Sequence, residues 1–401
     1  MTNVPEVRFK GFTDAWEQRK FENDIANIQT GTNLLGSATN TGIPLLKMGN
    51  VQRGYFSLDK LERLNADEKV SEQDVVQHGD FLFNTRNTLA LVGKGATWFG
   101  NGGQFAFNSN IARFSFHDLD TAFFNYLYNT KDMISQVGAR AVGTTSVAAV
   151  YPRDLDSLQY FAPSNEEQTR IGQFFRTLDN TIAIHKRKLD GLRELKKAYL
   201  QVLFPQAGEV VPRVRFEGFG GEWEQRKLEH FFTERSERSG TGELISVTIN
   251  SGVVKASELD RKIISSEDKS NYKIVKVGDI AYNSMRMWQG ASGYSLYDGI
   301  LSPAYIVITP RETAHAPFFA YLFKKAEMIQ IFQRNSQGLT SDTWNLKFPA
   351  FSQIEVLAPL IEEQKVISNF IECLDGNIEH QLRWVARIQQ LKSAYLQKMF
   401  V

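Results

Sequence analysis

Cysteine is almost absent. Cys373 is the sole one in 401 residues, so no disulfide can close within the chain, and a reducing compartment suits it. Excess charge of one sign is absent too: 46 Lys and Arg against 45 Asp and Glu leave a net charge of +1. That gives no global electrostatic pull toward nucleic acid, membrane or an acidic partner. No apolar run nears the ~20 residues a membrane helix needs. The opening MTNVPEVRF lacks the basic-then-apolar pattern of a secretory signal. The expected location is the cytoplasm, with no membrane partner.

Catalytic signatures are missing as well. There is no GxxxxGK[ST] phosphate loop, and GKG at Gly93 lacks its spacing and reads as a turn. No Gly-rich turn follows a strand where a methyl donor or dinucleotide would need it. No NPPY-like tetrapeptide presents an amino nitrogen for methylation. Six histidines and one cysteine show no metal-ligand spacing, and no GxSxG or Cys/His nucleophile stands out. No catalytic residue, metal or cofactor is expected on this chain.

What is present is a duplication. VPEVRFKGFTDAWEQRKFE from Val4 returns as VPRVRFEGFGGEWEQRKLE from Val211, 207 residues on. APSNEEQTRIGQFFRTLD from Ala162 returns as APLIEEQKVISNFIECLD from Ala358, 196 residues on. Three fainter echoes lie between, in the same order: GDFLFNTRN and GDIAYNSMR, FFNYL and FFAYL, GTTS and GLTS. The chain is two copies of one unit. The expected boundaries are a globular domain over 1–163, a helical segment over 164–205, a second domain over 206–359 and a second helical segment over 360–401. Pro205, Gly208 and Pro212 punctuate the junction.

The helical segments are the clearest structural feature. Ile171, Phe175, Leu178, Ile182, Leu189, Leu192, Tyr199 and Leu203 fall at heptad spacing. So do Ile367, Ile371, Leu374, Ile378, Val385, Ile388, Tyr395 and Met399. A narrow seam sustained this long predicts a coiled coil, here an antiparallel pseudo-twofold pair of the two helices. At ~1.5 Å per residue each would be a rod of roughly 57 Å. His185 and Gln381 hold the same seam position and would face one another as a polar layer that sets register; the alternative for His185 is a solvent-facing side chain. The basic residues of His185–Lys197 read as a solvated face or as contact with a partner subunit.

The variable domains read as mixed α/β. Strand-like runs cover Ile43–Met48, Asp80–Asn84, Gln104–Phe116, Ile280–Asn283 and Ala304–Thr309; helical patterns cover Thr121–Val137 and Pro317–Asn335. Asp80 and Asp279 each follow a glycine and read as turn caps rather than catalytic acids. Polar loops remain. Asn84, Thr85, Arg86 and Asn87 follow one strand, and Ser284, Arg286, Trp288 and Gln289 follow its counterpart beside Asn283. Thr144, Thr145 and Ser146 sit in one late loop, and Thr340, Ser341, Asp342 and Thr343 in the other. Arg, Asn and Gln pair bidentately with base edges, while Ser and Thr suit bases or phosphates. These types are also common in any exposed loop, so their matched placement in two copies carries the weight.

These features together resemble the specificity subunit of a type I restriction–modification enzyme. The resemblance rests on two variable domains each followed by a P-x-x-EEQ helix, on VPEVRF…WEQRK, on GDIAYNSMRMWQGASGYS from Gly278 and on LSPAYIV from Leu301. It covers essentially the whole chain. It implies two mixed α/β target recognition domains, each reading one half of a bipartite, asymmetric site in double-stranded DNA. It implies a helix pair that sets the spacer and docks two methyltransferase subunits for adenine N6 methylation. S-adenosylmethionine, ATP and Mg would then sit on the methyltransferase and restriction/translocase subunits, with no catalysis by this chain. Two other readings stand beside it: a nucleic-acid enzyme built on Asp80 and Asp279, and a coiled-coil adaptor without base readout.

Overall fold

The strand-like run Phe81–Asn84 opens with three consecutive apolar residues, Phe81–Phe83, so it belongs inside a sheet covered on both faces. In the computed structural model, which describes residues 3–259, 268–341 and 343–401, it is buried at all four positions. Phe81 and Phe83 enter one core cluster with Phe21, Phe114 and Phe124. Leu82 enters another with Leu46, Val51, Trp98 and Phe107. This is the period-two alternation of a strand between two layers. Burying each such side chain contributes on the order of 1.5–3 kcal/mol.

The chain divides into two units, Met1–Arg187 with Leu382–Val401, and Lys188–Gln381. In the first, an antiparallel sheet runs in the order Ile25–Thr30, Ile111–Phe116, Phe81–Asn84, Gly95–Thr97. In the second the order is Phe232–Glu234, Tyr305–Pro310, Ile280–Asn283, Ser292–Tyr294. The topologies match strand for strand. Ile280 and Tyr282 again face one cluster, and Ala281 faces the other. Asp80 and Asp279 are turn caps: each accepts from the backbone N–H three residues earlier at 2.8 Å. The glycine before each has φ near +90°, which a β-carbon would disfavour. Arg235 grips the buried Asp279 with two further bonds of 2.7 and 3.0 Å.

The helical patterns are each interrupted once. Thr121–Val137 resolves into Thr121–Tyr128 and Lys131–Ala139, because Thr130 caps a new helix by accepting from Met133 N. Pro317–Asn335 resolves into Ala316–Leu322 and Ala326–Asn335. Gln104–Phe116 likewise holds two strands, Ala106–Phe107 and Ile111–Phe116.

The duplicated end motifs meet in space. Glu17–Lys20 pairs antiparallel with Gln159–Ala162, and Glu224–Lys227 with Glu355–Ala358. Arg8 donates from Nε and Nη2 to both oxygens of Glu167 at 2.7 Å, and its Nη1 reaches Asp14 O at 2.6 Å. Arg215 repeats this on Glu363, also at 2.7 Å, with Nη1 on Gly221 O. Gln168 accepts from Asp120 N and donates to Pro163 O; Gln364 accepts from His315 N and donates to Pro359 O. Trp16 and Trp223 are buried edge-on against Phe123 and Phe318.

The long helices are Asn165–Val202 and Ile361–Lys398, 38 residues each. Their first turns carry Glu166–Glu167 and Glu362–Glu363, which favour a helix N-terminus. Within the first unit Phe174 meets Tyr395, Asp179 meets Lys392, and His185 stacks on Trp384 at 6.1 Å. Within the second, Lys196 meets Asp375 and Tyr199 meets Phe370. Partners step in opposite directions along the chain, so the pair is antiparallel. Ile182, Leu189, Leu374, Gln381, Val385 and Ile388 are buried along the seam; Leu178, Leu192, Ile378 and His185 are half-buried.

One seam position in each helix is a lysine that apolar periodicity passes over. Lys196 Nζ lies 2.5 Å from Asp375 Oδ1, whose other oxygen accepts from Tyr321 OH at 2.8 Å. Lys392, Asp179 and Tyr126 repeat the group, with bonds of 2.5 and 2.9 Å. Burial first, then the aspartate, pushes each tyrosine hydroxyl well above its ordinary pKa, so both stay donors.

Glu363 is 2% exposed and depends on Arg215 for its charge balance. R215A is therefore expected to cost roughly 3–5 kcal/mol, because it strands a buried carboxylate. R215K should recover little, since a point charge cannot replace the fork. The double variant R215M/E363L should lose far less. Urea denaturation measures all three, and an R215A midpoint equal to wild type would refute the assignment.

Candidate nucleic-acid interface

The earlier polar loop of each unit begins where an interior strand of its sheet runs out. Asn84 is the last residue of that strand in the first unit, not a loop residue. Its side chain is fully buried and donates to Met48 O at 2.9 Å. Buried there, Asn84 is a structural tie and not the base-contacting loop residue its place in the sequence suggests. Thr85 is half-buried and donates to Asn110 O at 2.9 Å. Its counterpart Ser284 is buried and donates to Ala304 O at 2.8 Å. Both hydroxyls are occupied in anchoring their own loop, so Ser284 is likewise corrected from reader to anchor.

Beyond these anchors the side chains turn outward. Arg86 is exposed and Asn87 half-buried, with Asn87 Oδ1 accepting from Thr88 N at 2.8 Å. Arg86–Asn87 is itself a short strand beside Ala148–Ala149, which pairs in turn with Val142–Gly143. The fold thus brings together the two loops of the first unit. Thr144, Thr145 and Ser146 are exposed at the tip of that hairpin. Thr144 Oγ1 accepts from Val147 N at 3.3 Å, and Thr145 O accepts from Leu89 N at 3.2 Å.

In the second unit, Arg286 and Gln289 are exposed and Trp288 half-buried. Trp288 donates to Met285 O at 3.0 Å and sits edge-on to Trp344 at 5.2 Å. Ser284 O accepts from Leu346 N at 2.8 Å, which ties this loop to the late one. Thr340, Ser341 and Thr343 are exposed, and Thr343 Oγ1 caps Thr340 N at 3.1 Å. Asp342 lies outside the described residues. Arg286, Trp288, Gln289 and Ser341 share the wall of an open cleft of about 940 Å³.

A further wall of that cleft is Thr248–Ser251, which loop-by-loop reading of the sequence missed. It is the tip of the hairpin formed by Ile245–Thr248 and Gly252–Lys255. The signal was available, since an Asn-Ser-Gly turn lies between two β-branched runs. Val51–Gly54 forms the matching turn in the first unit, where Gln52 N donates to Tyr55 O and Lys94 Nζ to Gln52 Oε1 at 2.6 Å. Burial, then the nearby Arg53, lowers the Lys94 pKa. Apolar side chains stand out beside the polar ones: Ile249, Met285 and Leu339 in one unit, Tyr55, Val142 and Val147 in the other. Such side chains suit thymine methyls and base faces. Among the described residues, no three His, Cys, Asp or Glu side chains group to hold a metal. No helix of these residues is long and apolar enough to cross a membrane.

Two similar scaffolds with unlike polar loops are the architecture of a paired DNA-specificity protein. The family model described as the type I restriction modification DNA specificity domain matches residues 14–194 and 221–385, and the chain belongs to that family. A putative type I restriction enzyme MjaX specificity subunit from Methanocaldococcus jannaschii is 22% identical over 211 residues. The match covers 50% of this chain and 48% of that one, so it spans about half of the relative's length. The crystal structure of the S subunit of a type I restriction-modification system from M. genitalium superposes with a TM-score of 0.62. It is 16% identical, with 99% of both chains covered, and shows the shared fold.

The anchoring and outward residues should separate on mutation. N84L removes the buried donor and leaves the half-buried Met48 O without its partner, at an expected cost of about 1–3 kcal/mol. R86A and R286A should leave the unfolding midpoint close to wild type. Chemical denaturation tests the contrast; an N84L chain as stable as R86A would contradict it.

Proposed function

We propose that each unit reads one half of a bipartite, asymmetric site in double-stranded DNA. The observation that carries this is the matched placement of unlike side chains on one scaffold. Arg86, Asn87 and Thr144–Ser146 occupy the first unit's reading edge; Arg286, Trp288, Gln289, Thr340, Ser341 and Thr343 occupy the second's. Arg presents two donors to a guanine edge and Asn a donor and an acceptor to an adenine edge, and the threonine and serine hydroxyls suit phosphates or bases. Thr85 supports its loop from beneath. A symmetric dimer reads a palindrome, whereas two unlike readers in one chain read two unlike halves.

On this reading the helix pair fixes the spacer and docks two methyltransferase subunits that methylate adenine at N6, and restriction/translocase subunits join that assembly. His185 and Gln381 serve as the polar seam positions that set helix register, each within its own unit. S-adenosylmethionine, ATP and Mg belong to the partners, and this chain catalyses nothing itself. A net charge of +1 supplies little backbone attraction, so much of the phosphate contact falls to the methyltransferase. The complex would work in the cytoplasm.

Exchange of residues 23–160 for the equivalent domain of another family member is expected to change one half of the methylated site and leave the other intact. Genome-wide mapping of methylated adenine reads this directly; a change in both halves would defeat the two-reader model. R286A is expected to relax discrimination at one base pair by roughly 1–3 kcal/mol. Competition binding across single-base variants checks it, and a uniform loss over all sequences would reassign Arg286 to phosphate.

A further inference from the structure

The cleft of the second unit is assembled from segments with no strand pairing between them, so something must hold their spacing. The hairpin tip at Ile249–Ser251 forms one wall, and Met285, Arg286, Trp288 and Gln289 of the loop ending at Gly290 form another. Lys324, just past the helix Ala316–Leu322, reaches between them. Its Nζ donates to Ile249 O at 2.8 Å and also to Gly290 O. Among the described residues its hydrogen bonds go to these two carbonyls and to no carboxylate. An ammonium spent on two backbone dipoles does not balance a charge; it fixes two chain positions.

The first unit does the same job with different chemistry. Asn129 occupies the matching place, three residues past Tyr126 as Lys324 is past Tyr321. Asn129 donates to Gly95 O at 3.1 Å, Gly54 N donates to that same carbonyl at 3.0 Å, and Asn125 donates to Gly54 O at 3.3 Å. There the turn is joined to the sheet directly. In the second unit the tip also runs close to the sheet: a β-carbon on Gly293 would meet Gly252 Cα at 2.9 Å. That approach seats the tip's base, while Lys324 holds its far end to the loop carrying Arg286 and Trp288.

We propose that Lys324 is a positioning residue that sets the width of the second unit's reading cleft by tying Ile249 to Gly290. The inference rests on the reading of that cleft as a DNA interface. Lys324 is not itself a base reader, since its donors point into the protein. Burial lowers its pKa to about 8, consistent with an ammonium held by dipoles alone.

The test uses the full chain, alone and assembled with its methyltransferase. K324M keeps the apolar stem and removes the donors; K324R keeps donors. Hydrogen exchange on the unliganded chain should show amides of 248–251 and 286–290 exchanging about tenfold faster in K324M, with Val51–Gly54 unchanged. Discrimination at the half-site of the second unit should fall about tenfold, with the other half-site unaffected and K324R close to wild type. Should K324M fold poorly, judged by its melting curve, K324Q carries the same comparison. Unchanged exchange in both walls would overturn the clamp whatever the DNA result. Faster exchange with both half-sites read normally would overturn its role in reading. A wild-type complex with no sequence-specific footprint would sink the DNA reading itself and this role with it, while the exchange data still decide the clamp.

Discussion

The buried guanidinium–carboxylate fork at the root of each long helix sets the geometry of everything attached to it. Glu167 and Glu363 have almost no contact with water. An unpaired carboxylate there would cost several kcal/mol, so the arginine is obligatory once the helix is packed. A planar fork accepts one orientation of its partner, and the third nitrogen closes the lead loop at Asp14 or Gly221. The neighbouring glutamine ties the helix to the loop before it and to the start of an earlier domain helix, Thr121–Tyr128 or Ala316–Leu322. Lead, domain and long helix are thereby fixed by polar contacts of defined direction, where hydrophobic burial alone would allow sliding.

That rigidity explains how the copies can differ so much between their matched ends. The frame is specified by a few residues that recur with their contacts: the arginine fork, the glutamine tie, the buried tryptophan and the Lys–Asp–Tyr group in the seam. None of them lies on the reading edge. The outward loops can therefore change without disturbing the frame, provided each keeps its own anchor. Thr85 and Ser284 show what such an anchor is: a hydroxyl returned to a carbonyl twenty or more residues away. Even the way the hairpin turn is held differs, by asparagines in one unit and by a lysine in the other.

Much of this was legible in the sequence, because the repeat exposes it. The helices follow from apolar spacing, and the turn role of Asp80 and Asp279 follows from the preceding glycine. The strand pairing of the repeated ends was not legible, since Glu17 and Ala162 are joined by registry across a whole domain and nothing local announces a partner. Lys196 and Lys392 escaped because a lysine reads as surface until its aspartate and tyrosine are located. Asn84 misled for the opposite reason. A polar residue at a strand end resembles a loop residue, and only the fold shows the carbonyl of Met48 waiting for it. The hairpin tips were passed over because their side chains are small or apolar and lack obvious readout chemistry.

Val214 N donates to Val202 O at 3.0 Å, where the first long helix hands over to the second lead. Val7 N donates to Lys398 O at the same distance. One contact bridges a short stretch of continuous chain, and the other joins residues almost four hundred positions apart. The packing around them is also alike, with Phe204 against Trp223 and Phe400 against Trp16. The fold therefore does not distinguish the covalent junction from the non-covalent one. Within each unit, the lead meets the end of a long helix through the same backbone bond and the same aromatic pair, whether or not the chain is continuous there.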